Sequence, residues 1–267
     1  MKRTGFQRGL GVFWYLTLAF LYAPLAVVVL FSFNEANSAA RLTEFSLKWY
    51  QRLFSNDVII AAFQNSLVLA VASSTLATVL GTLVGYGMYK YRHLRLNWLI
   101  WFIYLPIVMP DIVYGISEMT FFVSLHQAFG ILEPGLGTMI IAHVTFQVPF
   151  VALLVYSRLV GLDPQLFEAC NDLYANPIQR ARYFIVPVLR PAIISAFFLA
   201  FTLSIDDFVI SFFTAGPEST TLPIYVWSAI KKGITPEVNA IATLMIAAVF
   251  TAAVISFAIQ RARPVRG

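Results

Sequence analysis

Charge is scarce in this sequence. Asp, Glu, Lys and Arg make up 12% of its 267 residues, against about a quarter in soluble domains. A chain so poor in charge cannot clothe a water-facing surface of its own size. Cysteine is scarcer still: Cys170 stands alone, which excludes an internal disulfide. One cysteine and three scattered histidines do not supply a metal-ligand cluster, so no metal site is expected. Three further things are missing. There is no Gly-x-x-x-x-Gly-Lys-Ser/Thr phosphate loop, no defensible nucleophile–base arrangement, and no repeat with paired Gly/Pro interruptions of the inverted-repeat transporter kind. The chain is therefore not expected to be an enzyme or to hold a cofactor. Its net charge of +5 is dispersed rather than gathered into a patch, so nucleic acid is not an expected partner.

Apolar residues take the place of charge, at 59% of the chain with a mean hydropathy of +0.77. They fall in runs about 20 residues long, the length needed to cross hydrocarbon as a helix. We read an all-α integral membrane protein, one domain over 1–267, with six spans at about 13–33, 67–88, 98–125, 137–156, 191–213 and 238–259. The first span follows Lys2, Arg3 and Arg8 in the manner of a signal peptide. Its apolar core exceeds the usual 7–15 residues or so, however. An uncleaved anchor is expected, despite the cleavage-like residues at 37–40.

Basic residues set the orientation. With the N-terminus inside, the inner segments hold Lys2, Arg3, Arg8, Lys90, Arg92, Arg95, Arg158, Arg180, Arg182, Arg190, Arg261, Arg263 and Arg266, which is 13 of the 18. The outer segments hold Arg41, Lys48, Arg52, Lys231 and Lys232. Both termini and the loop at about 158–190 are therefore expected in the cytoplasm. On the outer side, 46–54 reads as an interfacial amphipathic helix, and 222–230 as a segment too short to span. Aromatic-belt anchoring at the headgroups is an equal reading for Trp49 and Trp227. Pro106, Pro110 and Pro149 interrupt the third and fourth spans, and a broken helix lining a cavity is one consequence.

Four carboxylates fall inside the spans: Asp111, Glu118, Asp206 and Asp207. An acid at a helix centre costs about 2.5–3.5 kcal/mol on insertion scales, and no Lys or Arg lies deep enough to meet these. A water-filled cavity, a partner subunit, a cationic substrate or protonation remain as compensation. Asp111, Tyr114, Gly115, Glu118 and Phe122 share one helical face, joining negative charge to the aromatic surface that ammonium groups favour. Asp206 and Asp207 are adjacent and so point about 100° apart. One of them can meet substrate while the other caps a kink or bonds a neighbour. His143 is expected to be a hydrogen-bonded packing residue, with a proton relay or a substrate contact as the minority reading.

The segment Glu168-Ala169-Cys170-Asn171-Asp172-Leu173-Tyr174, with Val186-Pro187 beyond it, is a long charged connection between apolar runs. Its spacing resembles the coupling loop of ABC-importer permeases: Glu-Ala-Ala, three residues, Gly, nine residues, Ile-x-Leu-Pro. Glu168, Ala169 and Pro187 match; Cys170, Tyr174, Phe184 and Val186 depart from it. Further strings occur in family order, among them Ser32-Phe33-Asn34, Lys48-Trp49-Tyr50, Pro110-Asp111-Ile112-Val113, His143-Val144-Thr145-Phe146 and Ser204-Ile205-Asp206-Asp207. Together they resemble the second permease subunit of polyamine ABC importers, the PotC type.

That resemblance implies a MetI-like permease fold in the bacterial cytoplasmic (inner) membrane. It implies a homologous second permease chain, two copies of a cytosolic ATPase that hydrolyses the ATP, and a periplasmic or extracellular binding protein delivering spermidine or putrescine. Asp111, Tyr114, Glu118, Phe122, Asp206 and Asp207 are the candidate pathway. Glu168, Ala169, Asp172, Leu173 and Pro187 are the candidate ATPase contacts, on two short helices over 168–187. Tyr174 in place of Gly, the residue suited to positive φ, predicts an altered connection between them. The competing classes are a proton- or cation-coupled secondary transporter using the same acids and a non-transporting membrane scaffold or assembly factor.

Overall fold

The computed structural model describes residues 5–36, 41–94, 97–174, 176–233 and 236–262. The cleavage-like residues 37–40, Ala175, and the basic residues Lys2, Arg3, Arg95, Arg263 and Arg266 lie outside them. In chain order the helices are α1 (Gly5–Ser32), α2 (Lys48–Phe54), α3 (Asp57–Lys90), α4 (Asn97–Val108), α5 (Asp111–Phe129), α6 (Leu136–Val160), α7 (Pro164–Asp172), α8 (Pro177–Arg180), α9 (Val186–Ile205), α10 (Val209–Thr214), α11 (Leu222–Lys232) and α12 (Pro236–Ala262). One π-helical turn, Ala181–Ile185, joins α8 to α9 without a break.

Among the described residues, four helices are long and apolar enough to cross a membrane: Leu10–Ser32, Asp57–Lys90, Leu136–Val160 and Pro177–Ile205. A fifth crossing results if α4 and α5 count as one span, although they meet at 109°. In α12 the apolar stretch is shorter, Pro236–Thr251. The third span is interrupted at Pro110, as expected from sequence, and the bounds of the fifth are corrected. The third is not continuous over 98–125: Pro110 lacks an amide hydrogen and lies extended at φ −60°, ψ 135°, so α4 stops and α5 restarts in a new direction. The fifth does not run through 191–213 but breaks at Asp206 to Phe208, between α9 and α10.

The chain forms two compact units, residues 1–60 with 226–267 and residues 61–225. In the first, α12 packs against α1 and α2. Two sequence strings meet there. Ser32 Oγ lies 2.8 Å from the Tyr50 hydroxyl, and the Trp49 indole N–H donates to the Asn34 carbonyl at 2.6 Å. Trp49 is 2% exposed, so it anchors this turn rather than sitting in a headgroup belt. Arg52, on the outer face of α2, reaches Glu237 of α12 at 3.7 Å.

The second unit is built on α6, which packs against α4, α5, α9 and α10. Small residues on α3 let that helix approach α6. A Cβ at Gly85 would sit 2.5 Å from the Ala152 carbonyl oxygen, and one at Gly81 2.5 Å from Val151 Cβ. This is the close small-residue contact that packs helices in lipid, where no hydrophobic force draws them together. The same device recurs where α5 meets α10: Gly115 faces Phe213 and the Ile210 backbone.

Candidate functional site: a polar seam through the helix core

The seam starts at α5. Tyr114 and Glu118 stand one turn apart, and both turn toward Thr145 of α6. The Tyr114 hydroxyl donates to Thr145 Oγ1 at 2.8 Å, and that hydroxyl donates to Glu118 Oε1 at 2.6 Å. Pro149, one turn further along α6, removes the amide that would otherwise bond the Thr145 carbonyl. The rings of Tyr114, Phe146 and Phe150 follow one another at 5.8 and 5.3 Å. Carboxylate, hydroxyls and aromatic faces thus share one half-open wall.

A second cluster occupies another side of α6, because His143 and Gln147 are four residues apart while Thr145 points away from both. Its serines, His143 and Gln147 are buried, while the Asp207 side chain is 11% exposed. Gln147 donates to Ser73 of α3 (3.3 Å), Ser73 donates to Ser204 of α9 (3.2 Å), and Ser204 lies 2.8 Å from His143 Nδ1. The other ring nitrogen, Nε2, lies 3.0 Å from Ser211 Oγ on α10 and 3.4 Å from Asp207 Oδ2. An ionised carboxylate can only accept, so contact with Asp207 places a proton on Nε2. Nδ1 of a neutral ring is then free to accept from Ser204.

The expected pathway residues therefore separate. Tyr114 and Glu118 come together through Thr145, a residue sequence reasoning did not single out. Asp111 is exposed in the first turn of α5, where a negative charge suits the helix dipole. Asp206 is exposed at the end of α9. Asp207 accepts from the backbone amides of Ile210 (3.3 Å) and Ser211 (2.8 Å), so it caps α10. It is also not without a basic neighbour, which corrects the search confined to Lys and Arg: His143 fills that place. Phe122 is buried in the unit's core rather than on the half-open wall. It is 3% exposed and packs with Ala142 and Ile210. His143 is the hydrogen-bonded interior residue expected from sequence. The i, i+4 pair His143/Gln147 in an apolar span was a legible sign of the cluster. Ser73, Ser204 and Ser211 carried none, since serine occurs throughout membrane helices.

The charged connection is also resolved into parts. Asp163 Oδ1 accepts from the Gln165 amide at 2.9 Å, and Pro164 follows it to open α7. Asn176 and Gln179 exchange bonds at 2.8 and 3.0 Å, a capping box that opens α8. Phe167 fixes α7 between Tyr89 of α3 (5.3 Å) and Phe184 of the π turn (5.1 Å). This leaves Glu168, Ala169, Asp172 and Leu173 exposed, along with Pro187 in the first turn of α9. Two expectations change. The second element is no separate short helix, for it runs through the π turn into the spanning helix. The turn after α7 also keeps its left-handed residue: Tyr174 has φ +50° where the pattern has Gly.

A broken, Pro-interrupted bundle with embedded acids and an ordered polar connection defines a membrane permease. The family of binding-protein-dependent transport system inner membrane components matches residues 77–263, and the chain belongs to it, with the MetI-like permease fold. It is 40% identical over 236 residues to the putrescine transport system permease protein PotI of Escherichia coli K12, covering 88% of this chain and 84% of that one. It is 36% identical to the spermidine/putrescine transport system permease protein PotC of Haemophilus influenzae, covering 93% and 95%. Two crystal structures of a bacterial ABC transporter for alginate share the fold. The first has a TM-score of 0.68 at 11% identity, covering 98% of this chain and 99% of that one. The second, in complex with a pentasaccharide-bound periplasmic protein, has a TM-score of 0.69 at 15% identity, covering 96% and 92%.

Proposed function

We propose that this chain is one of two membrane subunits of an ATP-driven polyamine importer and forms half of its translocation route. The observation that carries the reading is a conjunction. Relatives named for putrescine and spermidine transport are 36–40% identical over most of the chain, and acids stand among helices whose sequences, 97–157 and 191–230, contain no Lys or Arg. A polyamine offers amines spaced along an alkyl chain. Separated carboxylates at Asp111, Glu118 and Asp206, with aromatic faces at Tyr114 and Phe146 between them, suit that chemistry. Each contact is weak and transient, as conduction requires.

In this reading the crossings are α1, α3, the broken pair α4–α5, α6, the continuous helix through α9, and α12, with both termini in the cytoplasm. A homologous permease chain completes the route. Two copies of a separate ATPase hydrolyse the ATP, and one of them docks at Glu168, Ala169, Asp172, Leu173 and Pro187 of this chain. A periplasmic or extracellular binding protein delivers spermidine or putrescine. The test is uptake of labelled putrescine and spermidine by the reconstituted four-component complex. Uptake should require ATP and the binding protein, and Asp206→Asn should lower it about tenfold at unchanged assembly, equivalent to about 1.4 kcal/mol. Uptake by this chain alone, driven by a proton gradient, would establish a secondary transporter instead.

A further inference from the structure

We infer that His143 is a positioning residue of the route: by clamping both sides of the break between α9 and α10 it holds Asp207 inward and leaves Asp206 free for the passing cation. The inference rests on the pathway reading above and adds a residue and a division of labour to it.

The geometry is specific. α9 ends at Ile205 and α10 begins at Val209, so the backbone between them has left the helix and could adopt many paths. His143 stands on a third helix, 2% exposed, and its two ring nitrogens touch opposite sides of the break. Nδ1 meets Ser204 in the last turn of α9, at 2.8 Å. Nε2 meets Ser211 in the first turn of α10, at 3.0 Å, and Asp207 at 3.4 Å. Asp207 is held in turn by the amides of Ile210 and Ser211. Both Asp207 carboxylate oxygens thus meet partners in the protein, which fixes the preceding residue: with Asp207 pointing in, Asp206 is exposed. Behind the ring, Ser73 and Gln147 lock Ser204. Removing the imidazole would leave Ser204, Ser211 and Asp207 without that partner in a medium of low dielectric, where an unpaired polar group is costly. Two adjacent acids therefore have different tasks, one structural and one facing the route.

The substitutions that test this separate the two nitrogens. Gln places its amide nitrogen near the position of Nε2, Asn near that of Nδ1, and Phe keeps the ring volume without either. Uptake per assembled complex should fall about tenfold or more in His143→Phe, the scale of loss that follows when a positioned group is displaced. The half-saturating concentration, set by the binding protein, should not move. His143→Gln should restore half or more of the parent rate and His143→Asn much less. The double variant His143→Phe/Asp206→Asn should be no slower than Asp206→Asn alone, because the histidine acts through that carboxylate. Multiplicative losses in the double variant, a parent rate in His143→Phe, or equal rescue by Asn and Gln would each overturn the inference. Should His143→Phe fail to assemble, the Gln and Asn comparison decides it. A parent rate in Asp206→Asn would remove the pathway reading and this inference together. An impaired Asp206→Asn beside an unimpaired His143→Phe would remove this inference alone.

Discussion

Tyr174 shows how much one residue can be asked to bear. Its backbone is left-handed at φ +50°, its side chain is 94% exposed, and the family pattern has glycine there. For a residue with a Cβ that conformation costs about 1–2 kcal/mol, and glycine removes the cost. The turn keeps its shape because the elements on both sides are fixed independently, α7 by Phe167 and α8 by the Asn176 capping box. Tyr174→Gly should therefore leave the fold unchanged. Glycine also gains freedom in the unfolded chain, which offsets part of the relief, so the net gain should be below about 1 kcal/mol. Thermal melting of the detergent-solubilised complex checks it; a lower melting temperature would mean that the turn is not strained.

At the level of elements, the contact of α3 with α6 is decided by two glycines rather than by apolar bulk. Gly85→Ala would drive a methyl group onto the Ala152 carbonyl at 2.5 Å, whereas a Cβ at Gly87 meets nothing within 4 Å. The first substitution should destabilise by about 1–3 kcal/mol, the usual cost of overpacking. The second should be neutral or stabilising, since glycine inside a helix is unfavourable by about 0.8–1 kcal/mol relative to alanine. Comparing the two melting temperatures isolates packing from propensity. The helix breaks follow a different logic. Pro110 imposes one through its own covalent structure, while the break after α9 contains no proline and is stabilised by side chains from α6.

For the whole molecule, the distribution of basic residues predicts which parts face the cytoplasm. Arg180→Cys should be closed to a membrane-impermeant thiol reagent in intact cells, and Lys231→Cys open to it, in a background where Cys170 is replaced by serine. The reverse pattern would invert the topology. Continuity between the exposed connection and the spanning helix gives the topology a structural meaning. The helix from Pro177 to Ile205 is unbroken, so it links the exposed connection directly to the acids that follow its far end.

The sequence by itself determined the membrane class, the family and the identity of the embedded acids. Apolar run length, charge placement and motif spacing are one-dimensional quantities, and lipid leaves a chain few ways to satisfy its backbone. It also marked Pro110 as a point of interruption, since proline's missing donor acts locally. Only the tertiary structure decided which acid meets which neighbour. Asp206 and Asp207 are chemically identical neighbours, and they differ because His143, 64 positions from Asp207, comes within 3.4 Å of one and not the other. Phe122 shares a helical face with Glu118, yet a helix from elsewhere in the chain buries it beside Ile210. Periodicity says which side chains point the same way, and only the packing of other helices determines what they meet there.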